Sequence, residues 1–305
     1  MVEKTVSCPK CKNKLTIQGK PGETIYITCP KCDTKGKFVF PLEKTALEKP
    51  DRLTESEVKT FRKLRIFNGV IGIFHVLQGI LMLILSNNFS LPITYSYPQL
   101  NPITESISPV SETLIDAQIG PMVALFLFMS AVAHFLIATV LYKWYVKNLK
   151  KHINPARWYE YSFSASLMIF IIAMLVTIYD IGTLLALFTL TAVMNLMGLV
   201  MEIHNQTTEK TNWTSYIIGC IAGIVPWIVI FIPLITAESV PDFVIAIFVS
   251  IAIFFNCFAL NMFLQYKKIG KWKDYLYGEK VYIILSLFAK SALAWQVFAG
   301  TLRPI

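Results

Sequence analysis

Apolar residues gather in seven long stretches, near 66–86, 119–142, 156–179, 181–203, 214–236, 243–266 and 281–302, with polar connections between them. Each is long enough to cross about 30 Å of hydrocarbon as a helix. Scattered Gly, Ser and Pro are tolerated inside such helices where neighbours pack closely. The pattern predicts an all-α membrane protein with seven transmembrane helices over residues 66–305. It breaks in three places. Within 87–118, Phe89-Ser-Leu-Pro and Ile93-Thr-Tyr-Ser-Tyr-Pro alternate with period two, which predicts a short β-ribbon. Near the start, Leu15-Thr-Ile-Gln and Ile25-Tyr-Ile-Thr flank Gly19-Lys-Pro-Gly and read as a hairpin inside a small β module over 1–40. Between them, 41–65 reads as a linker and a helix leading into the membrane. Thr54-Glu-Ser-Glu57 has the form of a capping box for that helix, a plain linker being the alternative.

Charge orients the spans. Hydrophobic residues make up 55% of the chain and charged ones 15%, far from a soluble average. Of 28 Lys and Arg, fifteen precede residue 66, and the rest lie almost wholly in connections. That uneven placement accounts for the net charge of +9 better than a nucleic-acid footprint spread over one face. The connection near 143–157 carries Lys143, Lys147, Lys150, Lys151 and Arg157, and the one near 267–280 carries Lys267, Lys268, Lys271, Lys273 and Lys280. The 87–118 connection has no Lys or Arg and holds Glu105, Glu112 and Asp116. The positive-inside bias therefore places the N-terminus in the cytoplasm and the C-terminus outside a multi-pass plasma-membrane protein, with membrane lipid as its surroundings. A hydrophilic module precedes the first span, so no cleavable leader is expected.

Few ionisable residues remain at depth: Lys290, Glu160, His75 and His134, with Asp180 and Glu202 expected at wet helix ends. At about 1.5 Å per residue, His75, His134 and Lys290 lie some 13–14 Å from the basic side and Glu160 about 6–7 Å, so all four can meet in one layer. Ser164 follows Glu160 by one turn, Ser286 precedes Lys290 by one turn, and Gln78 is three residues from His75. One cation, one carboxylate and a shell of hydrogen-bonding groups result. A buried Lys–Glu pair joining two helices is the plain alternative, although such pairs stabilise poorly against desolvation. The chemical reading is a desolvated lysine able to form an imine with an aldehyde, with Glu160 as the anion beside it.

Four cysteines form two identical knuckles, Cys8-Pro-Lys-Cys11 and Cys29-Pro-Lys-Cys32, spaced C-x2-C-x17-C-x2-C. That is zinc-ribbon spacing, and four thiolates complete a closed tetrahedral site that a core this small needs. Disulfides are the competing reading, which a cytoplasmic location disfavours. The ribbon's lysines suit a cytoplasmic protein, nucleic acid or anionic headgroups, or only solvent. Cys220 and Cys257, inside spans, read as packing residues.

Residues 64–304 resemble the heliorhodopsins. The likeness rests on Ala156-Arg-Trp-Tyr-Glu-Tyr-Ser-Phe-Ser-Ala-Ser-Leu-Met-Ile, Met194-Asn-Leu-Met-Gly-Leu-Val-Met-Glu and Gly219-Cys-Ile-Ala-Gly-Ile-Val-Pro-Trp. It continues through Phe255-Asn-Cys-Phe-Ala-Leu-Asn to the closing run Leu285-Ser-Leu-Phe-Ala-Lys-Ser-Ala-Leu-Ala-Trp-Gln-Val-Phe-Ala-Gly-Thr-Leu-Arg-Pro. The resemblance implies a rhodopsin-like bundle with all-trans retinal on Lys290, Glu160 as counterion, and His75 and His134 beside a hydrated cavity. Gln78, Ser164 and Ser286 would tune that network. Tyr161, Met168, Asn195, Trp227 and Phe255 would line the pocket, ordinary helix packing being the alternative for each aromatic. It also implies an inverted orientation, a homodimer, and a light-sensing photoreceptor rather than an enzyme. Ile171 stands three turns beyond Glu160, where outward proton pumps carry a second carboxylate, so pumping is not expected. A light-gated ion channel or transporter and a retinal-free scaffold or enzyme regulator are the other functions considered.

Overall fold

The computed structural model describes residues 2–20, 22–40, 54–103 and 105–302, so the expected linker lies outside the described residues up to position 53. The chain divides into two compact units, residues 1–59 and 60–305.

The first unit contains two antiparallel hairpins. β1 (Val2–Ser7) pairs with β2 (Lys14–Gly19), and β3 (Thr24–Thr28) pairs with β4 (Lys35–Val39). The expected hairpin between Leu15–Gln18 and Ile25–Thr28 is therefore not formed. Each strand instead turns back at its own cysteine knuckle. There Cys8 N–H donates to Asn13 O at 2.9 Å and Cys29 N–H to Thr34 O at 3.0 Å. Lys12 and Asp33 take matching left-handed conformations, φ 56° and 52°. The β2–β3 connection over 20–23 is shorter than either knuckle loop, over 8–13 and 29–34, so the pairing follows the backbone bonds that close each knuckle and not loop length. Phe40 covers Gly19, where any side chain would meet its ring, and so joins the two hairpins.

Among the described residues seven helices are long and apolar enough to cross a membrane: α1 (Glu55–Leu85), α2 (Ile119–Ala138), α4 (Pro155–Leu175), α5 (Ile181–His204), α6 (Thr214–Thr236), α7 (Asp242–Tyr266) and α8 (Tyr275–Val297, continued by a π turn over Phe298–Leu302). The chain is thus a multi-pass membrane protein. The capping box closes as expected: Thr54 N–H donates to Glu57 Oε2 at 2.8 Å, and Glu57 N–H returns to Thr54 Oγ1 at 3.3 Å. Asn154, Asp180 and Asp274 cap α4, α5 and α8, with Pro155 opening α4. On α1, Ile66, Ile73, Phe74 and Leu77 are exposed at spacings of seven, one and three, an apolar stripe facing away from the bundle. Cys220 is likewise exposed rather than packed inside.

The second span is shorter than expected. It ends at Ala138, and a separate helix, α3 (Tyr142–Lys150), follows. α3 buries Tyr145, Val146 and Leu149 and exposes Lys143 and Lys147, an amphipathic pattern too short to cross. The ribbon at the opposite end is longer than expected: β5 (Ser90–Asn101) pairs with β6 (Ser106–Gln118). Thr94 N–H donates to Tyr179 O at 2.9 Å, which ties β5 to the start of α5. α4 is the central helix, with two thirds of its most apolar window buried (67%) against 17% for α7.

Candidate functional site

Lys290 on α8 and Glu160 on α4 meet inside the bundle. The amine lies 3.2 Å from Glu160 Oε1 and 2.8 Å from Ser286 Oγ, one turn earlier on its own helix. It also stands 4.9 Å from the centre of the Tyr161 ring. Lys290 is 3% exposed, and among the described residues no other lysine is buried. Glu160 accepts a second hydrogen bond, at 2.6 Å, from Ser130 Oγ on α2. The histidines occupy the same layer. His75 and His134 stack with ring centres 5.7 Å apart, and His134 Nδ1 bonds Asn68 Oδ1 at 2.8 Å. Neither ring nitrogen of His75 meets a protein partner, nor does Ser164 Oγ, although both residues are fully buried. Buried polar atoms are rarely left so, and here they mark a polar reserve beside the carboxylate. A small cavity of about 30 Å³ carries this polar region from His134 and Glu160 toward Arg157.

The other side of Lys290 is apolar. A cavity of about 40 Å³ lies beside the amine, lined by Tyr161, Met168, Asn195 and Phe255. It shares Met194, Asn195, Phe255 and Phe258 with a larger space of about 370 Å³ that reaches Trp227. Trp227 and Phe255 meet edge to face at 5.4 Å. An amine with a carboxylate on one side and a long apolar cavity on the other fits an apolar aldehyde joined to Lys290. Gln78 sits apart from the Lys290–Glu160 contact: its Oε1 accepts from Trp295 Nε1 at 3.1 Å and its amide turns to Phe74 O.

A second charged cluster was not legible in the sequence. Arg157, expected in a basic connection, and Glu202, expected at a wet helix end, are both buried. Arg157 pairs with Glu202 on α5 and Glu279 on α8, and its guanidinium packs on Tyr282 at 3.9 Å. Glu202 also accepts from Asn154 N–H, Trp158 Nε1 and Tyr275 OH, and Glu279 from Tyr145 OH and Asn154 Nδ2. Burial, then the Glu279 carboxylate, pushes the Tyr145 phenol well above its usual range, so it remains a donor. α3 and the first turns of α4 and α8 roof these charges, which removes the water that their sequence positions suggested.

Helical spacing held signals for Ser130, one turn before His134, and for Asn68, two turns before His75. Phe258 likewise stands one turn from Phe255. Nothing local marks Glu202 or Glu279.

In the N-terminal unit, the Sγ atoms of Cys8, Cys11, Cys29 and Cys32 all lie within 4.8 Å of one another. Cys8 and Cys32 are 3.6 Å apart, and Cys11 and Cys29 3.5 Å. A tetrahedral ion bound at about 2.3 Å sets its sulfurs about 3.8 Å apart, so the set can hold such a metal. The Thr34 hydroxyl, then the Thr34 backbone N–H, hold the Cys32 thiol down to about 6, which favours the ligating thiolate.

The family model described as Heliorhodopsin matches residues 64–302, which includes every residue of the Lys290 site. No curated protein matches the chain.

Proposed function

We propose that this chain is a light sensor that does not pump protons. It belongs to the heliorhodopsin family, and a retinal photoreceptor-like membrane protein is the premise. The observation that carries the reading is the buried Lys290 amine, 3.2 Å from Glu160 at the mouth of an apolar cavity. Retinal joined there through its aldehyde supplies absorption of visible light and a change of shape. Lys290 would hold it, Tyr161, Met168, Asn195, Trp227 and Phe255 would line its site, and Glu160 would balance the charge on the lysine nitrogen. His75 and His134 offer ring nitrogens for a proton leaving that layer. Retinal added to the dark protein should give a visible band, and its absence would refute the reading.

Non-pumping rests on Ile171, fully buried in the apolar core three turns along α4 from Glu160. An isoleucine there can neither take up nor release a proton. Illuminated vesicles should show no sustained, protonophore-sensitive pH change, and a reproducible gradient would overturn this part.

The basic connections favour a cytoplasmic N-terminus and an extracellular C-terminus, and the cysteine set favours zinc as a closed structural ion. Output through the ribbon follows if light biases an existing two-state equilibrium of that unit. Hydrogen exchange of residues 2–40, with zinc bound, should then differ between dark and illuminated samples. Identical protection would leave the ribbon a passive tether.

A further inference from the structure

We propose that the exposed face of the β3–β4 hairpin binds single-stranded nucleic acid, with Tyr26 as a stacking platform and Lys35 and Lys37 on the phosphates. The register places Thr24 opposite Val39, Tyr26 opposite Lys37 and Thr28 opposite Lys35, so these six side chains share one face. The other face turns Ile25, Ile27 and Phe38 inward, half-buried. Tyr26 is 81% exposed and Val39 beside it 52%, a large apolar outlay on a unit whose core is only a few residues. A solvated basic surface needs lysines and no ring. A base-stacking surface needs both, because the ring meets a base while neighbouring cations follow the backbone.

Charge agrees. Residues 1–40 hold eight lysines against Glu3, Glu23 and Asp33, and no carboxylate belongs to this face. Glu23, at its edge, is engaged by Lys20 N–H at 2.7 Å. Lys35 and Lys37 lie about 6.8 Å apart along the strand, and the Thr24 and Thr28 hydroxyls add donors on the same face. None of the six side chains on this face is Arg, Asn, Gln, Asp or Glu, and threonine hydroxyls contact any base, so binding is sequence-tolerant.

The inference goes beyond the photoreceptor reading and is tested in the dark. Zinc-loaded full-length protein in zwitterionic nanodiscs is titrated with a labelled oligonucleotide of about 12 nucleotides, followed by anisotropy. Saturable binding is expected at low salt. Tyr26→Ala should weaken it about 5- to 150-fold while Tyr26→Phe retains it. Lys35→Ala with Lys37→Ala should flatten the dependence of log affinity on log salt by about 1.4. Zinc content, measured for every variant, reports that the ribbon remains folded. Absence of binding at low salt, or wild-type affinity in metal-loaded Tyr26→Ala, would overturn the proposal. So would tight binding to phosphatidylserine vesicles that the oligonucleotide fails to compete, since the surface would then be a membrane contact.

Discussion

Two buried charge clusters share α4 and α8, and they are built on opposite principles. At Glu202 and Glu279 the carboxylates are crowded with donors: the Arg157 guanidinium, Asn154, Trp158, Tyr275 and Tyr145. At Glu160 the donors are Ser130 and Lys290, with the unpartnered Ser164 hydroxyl one turn along α4 and two unpartnered His75 nitrogens on α1. In the first cluster every carboxylate oxygen accepts at least one hydrogen bond, although Arg157 Nε and the neighbouring Tyr282 hydroxyl lack partners, and the cluster joins α3, α4, α5 and α8. The second is undersatisfied and borders open space on both sides. Buried carboxylates crowded with donors serve the fold, whereas a buried carboxylate with few donors and unpartnered groups near it is available for chemistry.

Lys290→Ala should break the comparison most completely. The visible pigment should vanish while the protein still inserts, because no other buried lysine is described. Covalent retinal in that variant would sink the central reading. Arg157→Met tests the other side. Two carboxylates would remain buried without their cation, and removing one partner of a buried pair costs about 3–5 kcal/mol. Thermal unfolding should fall accordingly, and an unchanged melting temperature would show the cluster to be dispensable. Glu160→Gln should act on colour more than on stability. Loss of the nearby anion should destabilise the protonated pigment and shift absorption to the red. An unchanged spectrum and titration would assign the counterion elsewhere, with the His75–His134 region the place to look.

The smallest effect is expected at an exposed carboxylate. On the β5–β6 hairpin, the Tyr95 and Tyr97 hydroxyls each donate to Glu112 at 2.7 Å and lower its pKa. A lowered carboxylate contributes stability above its unfolded pKa and loses it as pH falls through the folded value. Glu112→Gln should therefore remove only a slight acid sensitivity of the hairpin, read by hydrogen exchange between about pH 5 and 3, around the carboxylate range. A marked fall in global melting temperature would mean that exposed pairs here matter more than their solvent screening allows.

The legible parts of the protein share a physical cause. Spans of about 20 apolar residues have one low-energy state in a bilayer, so the seven helices follow from composition and length. A lysine and a glutamate at matching depth must find each other or pay heavily for burial, so Lys290–Glu160 was readable from counting along helices. Four thiols at ribbon spacing carry their meaning in the spacing. The parts that were not legible depend on what packs over them. Arg157, Glu202 and Glu279 stand at helix ends where water is the default, and only α3 and the joined ends of α4, α5 and α8 exclude it. Strand pairing in the N-terminal unit was also decided in space, because period-two alternation marks a strand but not its partner. The sequence by itself determined which segments leave water and which chemistry Lys290, Glu160 and the four cysteines bring. Tertiary structure decided which of the buried charges are saturated and which are left free to act, because hydrogen-bond partners converge from helices far apart in the chain.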